Sequence, residues 1–144
     1  MRVISGSSAA ALFASLSLGA SAADERYRTF IEDVQALRRT ELMRDLQIND
    51  LIIKYLPVGS PKDAVLVFCQ SNGMNAHLVQ HQPSESQKYN ETINCSRTIS
   101  GMHRFWPFIK KGHFVIGDDD VRVTFDLTAA RLTRAAGLVT MQHL

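Results

Sequence analysis

The sequence predicts an α+β fold, with N-terminal helices packed on a three- to four-stranded antiparallel sheet as a two-layer sandwich. Three observations support this class. Apolar residues recur at helical spacing in residues 23–47 and again in residues 60–73, whereas residues 76–142 show the alternation typical of strands. Because no repeat or linker separates these parts, we expect residues 23–144 to form a single domain.

The first predicted helix spans residues 23–47 and carries one apolar stripe. Its members follow i, i+3, i+4, i+7 spacing: Tyr27, Phe30, Ile31, Val34 and Leu37. Asp24 and Glu25 lie at its start, where negative charge favours the helix macrodipole. Asn49 and Asp50 then interrupt the pattern, and we expect Leu51–Leu56 to form a short helix.

A second, buried helix is predicted at residues 60–73. Ser60, Pro61 and Asp63 supply an N-cap, a proline at the first helical position and an acidic third position. The residues that follow are apolar nearly all round, and Asn72-Gly73 supplies a left-handed stop. This segment therefore predicts a helix of about ten residues that lies in the core.

The remaining pattern is that of strands. We predict them at four places: residues 76–80, 92–99, 121–127 and within 132–141. The third is the clearest, since Val121, Val123, Phe125 and Leu127 alternate with polar residues. Thr128-Ala129-Ala130 is the predicted turn of a hairpin between the last two strands.

Residues 1–22 have the features of a secretory signal peptide. Arg2 supplies a positive start, residues 9–20 an apolar stretch too short to span a bilayer, and Ala20-Ser21-Ala22 a cleavage site. The alternative is an N-terminal membrane anchor. We expect a periplasmic protein that keeps no membrane anchor after cleavage, since no Cys stands at the cleavage point to receive an acyl chain.

Cys69 and Cys95 are the two cysteines of the chain. An even count in an oxidising compartment predicts one disulfide, closing a loop of about 25 residues. Such a crosslink stabilises a small domain by roughly 3 kcal/mol. The alternative, a thiol nucleophile or metal ligand, lacks a C-x-x-C pattern or an adjacent His.

The turn and helix start at residues 55–65, together with Asn72-Gly73 and the hairpin strand at Val123–Asp126, resemble the BamE/SmpA-like class of small envelope proteins. The resemblance covers residues 55–142. It implies a helix packed on a three-stranded antiparallel sheet and a role in binding or scaffolding envelope proteins, with no catalytic residue to carry over. The related inhibitor-type folds imply a second possibility, an inhibitor or immunity protein. Two features depart from the class: the lipobox Cys is missing and the long N-terminal helix is extra.

The segment 101–111 contains the single Trp of the chain, between two predicted strands. Aromatic and cationic side chains together are typical of protein-interface hot spots. The candidate interface residues are Arg104, Phe105, Trp106, Phe108, Lys110 and Lys111. In the alternative interpretation, the aromatic rings fold back and cap the edge of the sheet.

Other chemistry has weaker support. The chain is nearly neutral, with 16 basic and 14 acidic residues and no long run of one sign, so nucleic acid is not an expected partner. His77 and His81 lack a third metal ligand, and residues 118–120 read as a solvated turn without the spacing of a calcium loop. We therefore expect no cofactor and no metal. The competing enzyme hypothesis is a small hydrolase using His103 or His113 with Asp118.

Overall fold

The computed structural model describes residues 13–40, 45–82, 84, 88–103 and 115–142. These residues form three helices and five strands. The helices are α1 (Phe13–Thr40), α2 (Asn49–Tyr55) and α3 (Lys62–Ser71), and the strands are β1 (Leu46–Gln47), β2 (Asn75–Gln80), β3 (Glu91–His103), β4 (Val115–Thr128) and β5 (Arg131–Met141). The α+β class is confirmed, and the predicted number of strands is corrected from three or four to five.

The five strands form one antiparallel sheet in the order β1-β5-β4-β3-β2. The predicted hairpin between β4 and β5 is confirmed, with Thr128 opposite Arg131. Its two turn residues, Ala129 and Ala130, have φ values of 50° and 58°. Both therefore adopt the left-handed conformation that a two-residue hairpin turn requires, although glycine or asparagine is usual there.

The first helix ends earlier than predicted. α1 stops at Thr40, and Leu46–Gln47, which the prediction placed in the helix, forms β1 instead. Leu46 pairs with Val139 and Gln47 with Leu138 of β5. The backbone groups of these two residues thus complete the edge of the sheet, a tertiary interaction that helical periodicity cannot reveal.

The predicted buried helix is present as α3, but its N-cap is Pro61 rather than Ser60. The Ser60 hydroxyl donates to the Pro57 carbonyl instead, at 2.6 Å. The turn before α3 is fixed by the β4–β5 hairpin, because the Gly59 amide donates to the Leu132 carbonyl and the Leu132 amide donates to the Ser60 carbonyl. The helix therefore begins one residue later than predicted, because the Ser60 hydroxyl is bonded to Pro57 and does not cap it, while Pro61 pairs with Arg131 of β5.

The core lies between the helices and one face of the sheet. Phe68 of α3 is fully buried at its centre. Its ring contacts four aromatic rings at centroid distances of 4.8 to 6.4 Å: Tyr27, Phe30, Tyr55 and Phe125. These rings come from α1, α2 and β4, so a single side chain of α3 connects three other elements of the core.

The predicted disulfide between Cys69 and Cys95 is confirmed. It joins the last turn of α3 to β3, and both residues are buried. Because it closes a loop of 26 residues in sequence separation, we expect it to stabilise the fold by about 3 kcal/mol. The bond fixes α3 on the helix-covered side of the sheet.

Residues 118–120 do not form the predicted solvated turn but belong to β4. Asp119 is only 1% exposed and accepts two hydrogen bonds from the Arg38 guanidinium of α1, at 3.1 and 3.3 Å. An ion pair of this kind offsets the cost of burying the carboxylate. Within this acidic run, Asp119 therefore serves the packing of α1 on the sheet, through a partner 81 residues away.

α2 packs directly on the backbone of β5 at Gly137. A Cβ added there would collide with the side chains of Ile48 and Ile52. The Gly137 amide donates to the Asn49 side chain at 2.8 Å, and its carbonyl accepts from the Ile48 amide at 3.0 Å. Glycine at this position therefore brings the helix within hydrogen-bonding distance of the strand.

Candidate functional site

The six predicted interface residues, Arg104, Phe105, Trp106, Phe108, Lys110 and Lys111, lie outside the described residues. The strands on either side are described. β3 and β4 pair as far as His103 opposite Val115, whereas β2 reaches only Ser96 and β5 only Asp119. The last four residue pairs of β3 and β4, from Ser100 opposite Asp118 to His103 opposite Val115, therefore extend beyond β2 and β5. We call this two-stranded extension the β3–β4 arm.

Only some of the residues in the hydrolase hypothesis belong to the described part of the chain. His113 and the side chain of His103 lie outside the described part of the chain, and Asp118 is exposed on β4. The proposed pairing of His103 or His113 with Asp118 thus stays untested.

His77 and His81 are four residues apart along an extended chain, which separates their backbones by about 13 Å. Within the described residues, no group of three or more His, Cys, Asp or Glu side chains could hold a metal ion.

One face of the sheet is free of described helices, and we call it the open face. On β3 and β4 it is formed by alternate residues, whose neighbours along each strand point into the core. Its members are Thr92, Asn94, Ser96, Thr98, Asp120, Arg122, Thr124 and Asp126. Every one of these side chains is polar, so the open face of β3 and β4 differs sharply from the apolar face beneath the helices.

The open-face side chains bind one another across the strands. At one end, the Thr92 hydroxyl donates to the Asp126 carboxylate at 3.0 Å, and His81 Nε2 lies 2.9 Å from the same hydroxyl. Because Asp126 can only accept and the hydroxyl has one proton, His81 Nε2 must donate to Thr92. This chain of hydrogen bonds therefore requires a proton on His81 Nε2.

The chain from His81 to Asp126 is not a nucleophile activated by a base. Such a pair requires the hydroxyl to give its proton to the imidazole. Here the Thr92 proton is directed to Asp126. Thr92 and Asp126 are also buried, at 7% and 6% exposure, and Tyr89 packs edge-on against His81. The arrangement is therefore suited to holding this end of the sheet in one geometry.

A second group lies near the other end of the open face. Asp120 accepts hydrogen bonds from Arg122 and Thr98, both at 2.9 Å. The bond from the Arg122 guanidinium, followed by that from Thr98, lowers the pKa of the Asp120 carboxyl below its ordinary value of 3.8. Arg122 itself is 69% exposed. Its guanidinium therefore has donors available for a ligand in addition to the bond to Asp120.

A shallow groove of about 400 Å³ runs beside Arg122. Its open-face lining comes from Asn75, Asn94, Ser96, Thr98, Asp120, Arg122 and Thr124. Asn94 and Thr124 are joined by a hydrogen bond of 3.0 Å. The groove thus presents amide, hydroxyl and guanidinium groups that are held in place by the strands and by one another.

Sequence reasoning identified neither group. The alternation in residues 121–127 did place Arg122, Thr124 and Asp126 together on one face, and that signal could have directed attention to them. Their partners could not be found in this way, because Thr92 and Thr98 belong to a strand whose register depends on the fold.

The fold and its site define a small α+β protein with three described helices on one face of a five-stranded antiparallel sheet and a polar groove on the other. No family model, no curated protein and no solved structure matches this chain. In the residues that the structure describes, no helix is long and apolar enough to cross a membrane.

Proposed function

We propose that this chain is a non-catalytic, protein-binding module of the periplasm, exported by the signal peptide at residues 1–22 and folded as a two-layer α+β sandwich. The partner is another protein of the cell envelope, in keeping with the resemblance to BamE/SmpA-like proteins. The observation that carries the proposal is the open face, whose polar side chains are held in one geometry without forming an activated nucleophile.

Two features support recognition of a protein surface. Arginine is enriched at interface hot spots, and Arg122 stands mostly exposed beside the groove. The groove is shallow and polar, which suits a folded or extended polypeptide better than a small apolar ligand, since small-molecule sites are usually deep and mostly apolar. The predicted aromatic residues of the segment between β3 and β4 would add an apolar anchor.

The test is affinity purification of the tagged, exported chain from envelope extracts of its source, with bound proteins quantified by mass spectrometry. Arg122→Ala removes the exposed cation of the open face, and Trp106→Ala removes the predicted aromatic anchor. Arg39→Ala, which removes an exposed cation on α1, is the control. The N-terminus of the purified chain is sequenced, with Ala23 expected as its first residue.

We expect Arg122→Ala and Trp106→Ala each to reduce recovery of the partner at least tenfold, as hot-spot truncations of about 2 kcal/mol do. Arg39→Ala should recover as much as the unmodified chain. Equal recovery with all three variants would contradict an interface at either place. If Arg39→Ala were the variant that lost the partner while Arg122→Ala and Trp106→Ala retained it, the interface would lie on the helices and the open face would be excluded.

An inhibitor of an envelope enzyme is the second candidate function, and the same purification distinguishes it. If the bound protein is an enzyme, adding the purified, unmodified chain should lower the activity of that enzyme. Adding the Arg122→Ala variant at the same concentration should leave the activity of the enzyme unchanged. A bound protein whose activity is unchanged by the chain would favour the scaffolding role.

A further inference from the structure

Among the described residues, β2 forms one edge of the sheet. In the part of the chain that the structure describes, β2 pairs with β3 on one side and with no strand on the other. Five of its six residues are exposed, and Val79 is half-buried. The opposite edge of the sheet is formed by β1, which is only two residues long. β2 therefore offers the longer stretch of edge for pairing with another strand.

The direction of the β2 backbone groups follows from its pairing with β3. Just after β2, the His81 amide donates to the Asn90 carbonyl, and this position continues the register in which Gln80 lies opposite Glu91. Residues in antiparallel strands alternate between bonding inward and outward. Asn75, His77 and Val79 thus bond to β3, whereas Ala76, Leu78 and Gln80 direct their N–H and C=O groups away from the sheet.

This edge has none of the features by which sheets avoid pairing. Natural edges carry charged residues, proline or bulges. β2 contains no Asp, Glu, Lys, Arg or Pro, and its register with β3 is regular. At its centre, Leu78 is 41% exposed and is one of four large apolar side chains exposed among the described residues.

We infer that β2 pairs with β2 of a second copy of this chain, antiparallel and about a two-fold axis through Leu78. Opposed residues of an antiparallel pair must lie on the same face of the sheet. An axis through Leu78 meets this condition and also brings the three outward-bonding residues together. Leu78 then faces Leu78 of the other copy, and Ala76 faces Gln80, which gives three hydrogen-bonded pairs.

Charge and burial favour a second copy over a different occupant. Across a two-fold axis a charged side chain in a strand lies close to the same charge of the other copy, so only a neutral strand pairs with itself without repulsion. β2 contains no Asp, Glu, Lys or Arg, so it meets this condition. The two Leu78 side chains also contact each other on the helix-covered side, which removes apolar surface from water.

The pairing would extend the two sheets into one of ten strands. Because the axis stands perpendicular to the sheet, both open faces lie on the same side of the dimer. Each groove is lined at its β2 end by Asn75, three residues from the axis, which is a distance of about 10 Å. The dimer would therefore present two grooves side by side, although the inference itself does not depend on the proposed function.

The test is the mass of the purified, exported chain, measured by sedimentation equilibrium across a range of concentrations. We expect a monomer–dimer equilibrium with a Kd on the order of 10–100 µM, since one strand pair forms a small interface. Leu78→Lys should remain monomeric, because two ammonium groups would meet at the axis. Leu66→Lys, at the similarly exposed Leu66 of α3 (38%), is the matched control and should dimerise like the unmodified chain.

A second variant, Leu78→Cys, tests the position of the two-fold axis directly, because its expected result is a gain of covalent dimer and not a loss of dimerisation. Opposed Cα atoms in a hydrogen-bonded pair are about 5.5 Å apart, within the range that a disulfide bridges. Leu78→Cys should therefore form a covalent dimer on mild oxidation, whereas Leu66→Cys should not. Far-UV circular dichroism checks that each variant is folded.

An unmodified chain that stays monomeric up to about 1 mM would overturn the inference and leave the edge to a strand of a different protein. Dimerisation of Leu78→Lys at the unmodified affinity would also overturn it, since the interface would then lie elsewhere. Neither result bears on the Arg122→Ala purification, so failure of the dimer and failure of the proposed function can be told apart.

Discussion

The two faces of the sheet are made by the same strands but have different contents. On β4, Val121, Val123 and Phe125 are buried beneath the helices. The residues between them, Arg122 and Thr124, belong to the open face and bind polar side chains on the sheet. Apolar packing dominates the helix-covered face, which also contains the Arg38–Asp119 ion pair, whereas side chains of the open face are held by hydrogen bonds to one another.

This difference separates stability from recognition. Buried apolar area supplies most of the free energy of folding, so changes on the helix-covered face should alter stability. Exposed hydrogen bonds contribute little net free energy, so most changes on the open face should alter binding alone. The buried pair Thr92–Asp126 is the exception, because it belongs to the open face by position but is enclosed like a core residue.

The largest effect is expected for Phe68→Ala. The substitution removes the ring that contacts aromatic side chains of α1, α2 and β4, and it leaves a cavity at the centre of the core. We expect the free energy of unfolding to fall by about 3–5 kcal/mol, measured by urea denaturation. Leu66→Ala on the exposed side of the same helix should cost less than about 1 kcal/mol. Equal losses would contradict a core centred on Phe68.

An intermediate effect is expected for Thr92→Val, which tests the exception on the open face. The substitution keeps the shape of the side chain but removes the donor to the buried Asp126 carboxylate. We expect a loss of about 1–3 kcal/mol, the usual cost of leaving a buried group without its partner.

The matched variant is Thr124→Val, which breaks the more exposed bond to Asn94 and should cost less than about 1 kcal/mol. If both variants lost the same free energy, burial would not distinguish the two bonds. Nitrogen NMR of His81 in the unmodified chain should show the proton on Nε2, and this preference should weaken in Thr92→Val.

The smallest effect concerns the acid dependence of stability. The pKa of Asp120 is lowered in the folded state by Arg122 and then by Thr98. The contribution of the Asp120 carboxylate to the free energy of unfolding is therefore complete above its ordinary pKa of 3.8. This contribution is lost as the pH falls through the lower pKa of the folded state. We expect Asp120→Asn to be slightly less stable at neutral pH and to lose less stability between about pH 4 and pH 2.

Arg122→Gln should give the same shallower dependence of stability on acid. This substitution removes the guanidinium, which lowers the pKa of Asp120 more than Thr98 does, and leaves the Asp120 carboxyl in place. Urea denaturation at a series of pH values measures both variants. An acid dependence identical to that of the unmodified chain would show that the exposed pair contributes nothing to folding.

The parts of the fold that local patterns determine were predicted from the sequence. Alternation in residues 121–127, the stop at Asn72-Gly73 and the pair Cys69 and Cys95 each depend on near neighbours or on the compartment, and the corresponding strand, helix and disulfide are present. Capping and periodicity act within a few residues, so they can be read without knowing the fold.

The features that depend on distant partners were not predicted. β1 is only two residues long and exists because β5 supplies its hydrogen bonds. Asp119 seemed to belong to a solvated turn because its partner, Arg38, lies on a different element. The open-face groups were missed for the same reason, since Thr92 and Asp126 meet only after β3 and β4 adopt their register.

The close approach of α2 to β5 at Gly137 has a consequence for recognising relatives of this chain. Asn49 and Ile48 bond to the backbone of Gly137, while Ile48 and Ile52 occupy the space that a Cβ would need. During evolution, a larger residue at position 137 could be accepted only with smaller side chains at positions 48 and 52. A glycine that follows an Asn-x-x-Ile segment by about 85 residues, or compensating changes at these positions, would therefore be a signature by which divergent homologues could be found.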